Sequence, residues 1–157
     1  MWILTRALTY ATFFIGMLLV GLPAGVLSLA HVTRPSGIGL QQILGMLLTV
    51  AGAALGGWCI LTFVFIGKGT QAPFDPPKKL VIRGPYRALR NPMFAGAALA
   101  LSGAAIYYGS SALLGYAVAF WLITHLAVVY YEEPALRKSF GVEYANYCEK
   151  TGRWWPK

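Results

Sequence analysis

The feature that most constrains this chain is an uninterrupted stretch of 41 residues, Asn91 to Tyr131, without Asp, Glu, Lys or Arg. As one α-helix it would be about 60 Å long, because each residue adds about 1.5 Å. That is twice the hydrocarbon thickness of a bilayer, which is about 30 Å. The stretch must therefore fold back on itself, and Gly109-Ser110-Ser111 predicts the turn. The sequence thus predicts a helical hairpin with arms at about 92–108 and 111–131.

Two further uncharged stretches precede the hairpin. Residues 7–30 and 35–67 contain 24 and 33 residues without a charged side chain, which predicts spans at about 7–30 and 39–65. The whole chain is 57% hydrophobic and 11% charged, whereas a soluble domain carries about 25% charged residues. This composition excludes a soluble enzyme and a nucleic-acid-binding module, despite the net charge of +8. We expect an all-α integral membrane protein, one membrane domain over 1–157, with four transmembrane helices.

The distribution of basic residues predicts the topology. Of the 13 Lys and Arg residues, only Arg34 lies between the first two spans, and the others lie on the opposite side of the membrane. The positive-inside rule then places both termini, the 67–91 loop and the 132–157 tail in the cytosol, at the inner membrane if the protein is bacterial. Small residues four apart, such as Gly52 and Gly56, predict close helix packing, either within the monomer or between copies in an oligomer.

Glu132 and Glu133 end the fourth span, and two carboxylates at a helix C-terminus oppose the helix dipole. Either a bound cation compensates them, or Arg87 or Arg90 folds over them as a partner. Pro134 then begins another helix. Its apolar residues recur at three-to-four-residue spacing, which predicts a cytosolic amphipathic helix. They are Leu136, Phe140, Tyr144 and either Tyr147 or Cys148.

The third span begins at Arg90-Asn91-Pro92. Proline suits the first helical turn, and Asn91 is a candidate N-cap. The free N–H groups of such a helix end can bind a carboxylate or a polar ring edge, or they can simply be capped. His125 lies two turns before Glu132 on the same face, and it is either functional or a neutral side chain bonded to a neighbouring helix. No metal site is predicted, since the chain has no metal-binding His pair and no C-x-x-C.

An ordered set of motifs resembles the isoprenylcysteine carboxyl methyltransferase family and its phospholipid methyltransferase relatives. The motifs are, in chain order, Gly67-Lys68-Gly69-Thr70, Gly84-Pro85-Tyr86-Arg87-x-x-Arg90-Asn91-Pro92-Met93-Phe94, Glu132-Glu133-Pro134-x-Leu136, Phe140-Gly141-x-x-Tyr144-x-x-Tyr147 and Arg153-Trp154-x-Pro156.

The resemblance implies an S-adenosylmethionine-dependent methyltransferase that acts on a small lipophilic or lipid substrate at the cytosolic membrane face. Carboxyl methylation is one expectation, with Arg90 as the catalytic residue that orients the substrate carboxylate. Alternatives are phospholipid or amine N-methylation, for which a carboxylate would accept a proton, and a non-catalytic lipid-binding membrane protein. The residues expected to bind the cofactor are Gly69, Tyr86, Asn91, Pro92, Met93, Glu132, Glu133, Leu136 and Tyr144.

Overall fold

The computed structural model describes residues 16–67 and 80–157, and every regular element within these ranges is helical. The α-helices are α1 (Leu22–Leu29), α2 (Leu40–Thr62), α3 (Pro92–Tyr108), α4 (Ser111–Ala127) and α5 (Glu133–Lys150). Three π-helical segments adjoin them: Gly16–Gly21, Phe63–Gly67 and Val128–Glu132. A 3₁₀ turn, Gly84–Arg87, precedes α3.

Two of the described helices are long and apolar enough to cross a membrane. The first is α2, with 23 residues, and the second is the helical stretch Ser111–Lys150, with 40 residues, which contains a π-helical segment and a kink at Gly141. One span needs about 20 residues, so only part of this stretch fits the hydrocarbon layer. Its uncharged part ends at Tyr131, and we treat 111–131 as the spanning segment. The four-span count and the topology remain predictions, and residues 7–15 of the first predicted span lie outside the described residues.

The predicted hairpin is confirmed. Gly109 adopts the left-handed conformation, with φ 60° and ψ 31°, which glycine adopts without strain. Ser110 is the N-cap of α4, and its side chain accepts a hydrogen bond of 3.2 Å from the backbone N–H of Leu113. The chain therefore leaves α3 and enters α4 within three residues, at the place that the sequence indicates.

Helices α2 and α3 pack closely because glycines face each other. A Cβ atom on Gly45 would lie 2.5 Å from the backbone nitrogen of Tyr107, and one on Gly96 would lie 2.8 Å from the carbonyl oxygen of Gly52. Real side chains do not approach backbone atoms this closely, so only glycine fits. The Thr49 hydroxyl strengthens the contact by donating to the Ala100 carbonyl oxygen, 3.3 Å away. Small residues thus serve packing within the monomer here.

Candidate functional site

The C-terminal tail folds back onto the start of α3 and closes the candidate site. Leu89 and Gly152 form a parallel bridge, and the Arg90 backbone N–H donates to the Gly152 carbonyl oxygen, 2.9 Å away. Gly141 makes this return possible, because its φ of 50° and ψ of −120° interrupt the helical geometry of α5. L-residues rarely adopt that conformation. Two segments more than sixty positions apart are thereby joined by backbone hydrogen bonds.

Glu133 is the centre of an ion-pair network at this junction. Arg153 binds its carboxylate through two hydrogen bonds, Nε to Oε1 at 2.7 Å and Nη2 to Oε2 at 2.9 Å. Arg90 Nη1 lies 3.0 Å from the same Oε1. Burial acts to raise the pKa of Glu133, but the hydrogen bond from Arg153 and the charges of Arg90 and Arg153 outweigh it, so this pKa lies below its usual value. Of the two interpretations of the acidic pair, an arginine partner is present at Glu133, and the partner is Arg90 together with Arg153.

Glu132 has the opposite environment. It is half-buried, and its carboxylate has no hydrogen bond or ion pair with any residue in 16–67 or 80–157. Burial and the negative charge of Glu133 raise the pKa of Glu132 to about 7. The two adjacent carboxylates therefore differ in chemistry. Glu133 is a neutralised structural anion, whereas Glu132 can still accept a cation or a proton.

One nitrogen of Arg90 is buried without a hydrogen-bond partner in the part of the chain that the structure describes. Its Nη1 donates to Cys148 Sγ, 2.8 Å away, in addition to its contact with Glu133. Its Nε is buried and has no hydrogen-bond partner among the described residues. Leaving a buried charged donor unpaired is costly, so such an atom in a native structure needs an explanation. An anionic ligand that accepts a hydrogen bond from Nε would provide one.

Buried tyrosines surround this network. Tyr86 and Tyr144 are almost fully buried, and burial raises the pKa of Tyr144 well above its usual value. The Tyr147 hydroxyl donates to the backbone carbonyl oxygen of Tyr86, which ties α5 to the 3₁₀ turn. Met93 packs against the cluster that contains Tyr86, and Leu136 is half-buried on α5. The site therefore has low polarity around a few charged groups.

Asn91 differs from its predicted role. It occupies the N-cap position of α3, and Pro92 lies in the first turn as predicted, but the Asn91 side chain makes no capping hydrogen bond. Its amide instead donates to the carbonyl oxygen of Arg153, 3.5 Å away. The prediction of side-chain capping is wrong: the Asn91 amide is oriented towards the returning tail, and its oxygen, the atom that would cap, accepts no N–H from the first turn of α3. The predicted cofactor residue Gly69 lies outside the described residues.

His125 is held by an aromatic cluster. Its Nδ1 accepts a hydrogen bond of 3.0 Å from Trp154 Nε1, and its ring stacks on Trp121 at 5.5 Å between centroids. Of the two interpretations of this residue, the hydrogen-bonded one is present, with a partner on the tail rather than on a neighbouring helix.

Sequence reasoning did not predict that Arg153 pairs with Glu133. In the sequence, Arg153 is notable only as part of the Arg-Trp-x-Pro motif. That motif does not indicate which residue Arg153 pairs with.

The chain was compared with models of known protein families. The family model described as phospholipid methyltransferase matches residues 40–143. The matched region extends from the start of α2 into α5 and includes Arg90, Glu132 and Glu133, but ends before Arg153. No curated protein matches the chain.

Proposed function

The chain belongs to the phospholipid methyltransferase family, and from this premise we propose that it transfers a methyl group from S-adenosylmethionine to a lipophilic acceptor at the cytosolic face of the membrane. Family membership supports methyl transfer to a lipid. The cofactor and its binding residues are our proposal. The observation that carries it is the unequal state of the acidic pair: among the described residues, the Glu132 carboxylate has no partner, and Arg90, which pairs with Glu133, has a buried Nε without an acceptor.

The side chains present suit this cofactor. S-adenosylmethionine has a sulfonium, an ammonium and a carboxylate group, so its binding site needs both signs of charge. Within 16–67 and 80–157, Glu132 offers a carboxylate without a partner, and Arg90 Nε offers a buried donor without an acceptor. Tyr86 and Tyr144 offer buried aromatic surface. The cofactor supplies an electrophilic methyl group when it is bound.

The protein's own residues then have distinct roles. Glu132 holds a cationic group by a charge-assisted hydrogen bond, which is stronger than a neutral one. Arg90 holds an anionic group through Nε, and Glu133 with Arg153 keeps its guanidinium in place. The buried tyrosines exclude water, which strengthens these interactions because the local dielectric is low. We also propose four further residues as neighbours of the cofactor: Asn91, Pro92, Met93 and Leu136.

The geometry favours an amine acceptor over a carboxylate acceptor. A carboxylate needs a free cation for orientation, but the Nη1 atom of Arg90 is engaged with Glu133 and Cys148. An amine acceptor needs no such cation, and it loses a proton during methylation. Amine methylation of a phospholipid is therefore the preferred form of the proposal, and isoprenylcysteine-like carboxyl methylation is the second candidate.

The proposed topology places four spans in the membrane, with both termini cytosolic. It rests on the basic-residue asymmetry of the sequence and on the two long apolar helices. In this arrangement Glu132 is the first charged residue after the fourth span, so the proposed site lies at the cytosolic interface. A lipid could then present its headgroup there without leaving the membrane.

Calorimetric titration of the purified, detergent-solubilised protein with S-adenosylmethionine tests the proposal. Wild-type protein should bind. Glu132→Gln should weaken binding about tenfold or more, because a hydrogen bond to a charged group contributes roughly 1.5–3 kcal/mol. Glu143→Gln is the matched control, since Glu143 is an exposed carboxylate on α5, the helix that follows Glu132. Absence of binding by wild-type protein would refute the cofactor assignment. Equal affinities in wild type and Glu132→Gln would refute the role of Glu132.

A further inference from the structure

The 3₁₀ turn Gly84–Arg87 has an inner and an outer side. Pro85 and Tyr86 are buried on the inner side, towards the candidate site, whereas Arg83 and Arg87 are exposed. A cavity of about 370 Å³ opens on the outer side. It is lined by Ile82, Arg83, Gly84 and Arg87. None of the roles proposed for holding the cofactor uses this cavity or its two arginines.

The described lining of the cavity is positively charged. Of the four lining residues that the structure describes, two are arginines and none is acidic. Arg83 and Arg87 have no ion pair or hydrogen bond with any residue that the structure describes, in contrast to Arg90 and Arg153, which share Glu133. The planar guanidinium group binds phosphate oxygens in pairs, which makes arginine especially suited to phosphate recognition. The chemistry of the lining therefore points to an anion with phosphate geometry.

The cavity also lies beside apolar, exposed surface. Gly84 packs against the end of α2, since a Cβ on it would lie 2.9 Å from Thr62 Oγ1 and 3.3 Å from Trp58 Nε1. Trp58 and Leu61 are three residues apart on α2 and so share one face, and they are 58% and 56% exposed. A molecule with a phosphate at the arginines would thus have apolar helix surface next to it. A free phosphate ester would gain nothing from that surface.

We propose that Arg83 and Arg87 bind the phosphate group of a membrane lipid whose acyl chains lie along the exposed face of α2. The charge of the cavity selects the phosphate, and the adjacent face of Trp58 and Leu61 selects an amphiphile over a soluble phosphate ester. This inference concerns binding alone, so it holds whether or not the chain transfers a methyl group.

Native mass spectrometry of the full chain in detergent measures this binding directly. Three probes separate the contribution of the phosphate from that of the acyl chains. They are dioleoyl phosphatidylglycerol, dioleoylglycerol, which lacks the phosphate, and glycerol 3-phosphate, which lacks the acyl chains. We expect the phospholipid to bind and the other two to bind far more weakly. The double variant Arg83→Gln/Arg87→Gln should lower phospholipid affinity by about tenfold or more, because it removes charged hydrogen-bond donors.

The matched control is Arg137→Gln/Lys138→Gln, which removes the same charge from two exposed residues of α5. It should keep the wild-type affinity. Equal weakening in both double variants would mean general attraction to anionic lipid and would overturn the proposal, as would undiminished binding by Arg83→Gln/Arg87→Gln. Binding of glycerol 3-phosphate as tight as that of the phospholipid would overturn the lipid as occupant. Should the double glutamine variant fail to fold, Arg83→Lys/Arg87→Lys keeps the charge but loses the paired geometry. It should bind the phospholipid more weakly than wild type, and full affinity would refute the arginine site.

Discussion

Glu133→Gln is the substitution whose effect follows most directly from the ion-pair network. Glutamine has nearly the same shape as glutamate, so the change removes the charge and leaves the packing intact. Glu133 and Arg90 are deeply buried, with side-chain exposures of 7% and 11%, whereas Arg153 is 32% exposed. Neutralising Glu133 therefore leaves one buried arginine and one half-buried arginine without their shared anion.

The size of the effect can be worked out from these exposures. Removing one partner of a buried ion pair costs about 3–5 kcal/mol, because the remaining charge stays desolvated. Arg153 can turn partly towards water and the new amide oxygen can still accept one hydrogen bond, so we take the lower end. A loss of about 3 kcal/mol lowers the midpoint of thermal unfolding by roughly 6–12 °C in a chain of this size.

Thermal unfolding in detergent, followed by tryptophan fluorescence, measures this midpoint. Glu132→Gln is the matched control, since it changes the neighbouring residue in the same way but removes no ion pair. We expect its midpoint to be no lower than that of wild type, because it removes a carboxylate whose raised pKa destabilises the folded state near neutral pH. If Glu133→Gln unfolds at the wild-type temperature, or if both variants lose the same amount, the assignment of Glu133 as the structural anion is wrong.

Three further outcomes are expected. Affinity for S-adenosylmethionine should fall as the pH is lowered from about 8 to about 6, because Glu132 has a raised pKa of about 7 and loses its charge on protonation. Calorimetry at several pH values measures this, and the affinity of Glu132→Gln should depend less on pH. Gly52→Ala should lower the unfolding midpoint because its Cβ would strike the α3 backbone, whereas Gly57→Ala, with open space around its Cβ, should not. A cysteine introduced near Lys78 should react with an impermeant reagent only after permeabilisation and one near Gly109 in intact cells, and the reverse pattern would refute the proposed topology.

The hairpin was predictable because its causes lie in the residues of the hairpin itself. The number of uncharged residues between Asn91 and Tyr131 exceeds one membrane crossing, and this needs only counting. Gly109 then takes the left-handed conformation that few other residues tolerate. Small residues at four-residue spacing predicted that helices would pack closely. They did not predict which glycines of α2 face which residues of α3. Which glycine meets which backbone atom depends on the crossing of the two helices.

The candidate site was predictable in its residue types but not in their pairing. Glu132 and Glu133 are adjacent and chemically identical, so the sequence gives no reason to treat them differently. Their difference arises from Arg153, which reaches only Glu133 because the chain bends at Gly141 and returns to Leu89. This return of the tail depends on tertiary contacts between residues distant in sequence, so no local sequence pattern predicts it. The same return brings the Arg153 carbonyl oxygen within reach of the Asn91 amide.

The 3₁₀ turn connects the two proposals of function. Two features restrict the turn. Pro85 limits its backbone torsion angles, and the Tyr147 hydroxyl donates a hydrogen bond to the carbonyl oxygen of Tyr86. Arg83 and Arg87 flank these residues and face the outer cavity. If a bound lipid is also the methyl acceptor, it would be anchored by its phosphate on one surface of a rigid turn whose other surface forms a wall of the methyl-transfer site. Positioning of this kind lowers the entropic cost of reaction, and it requires no movement of either arginine towards the cofactor.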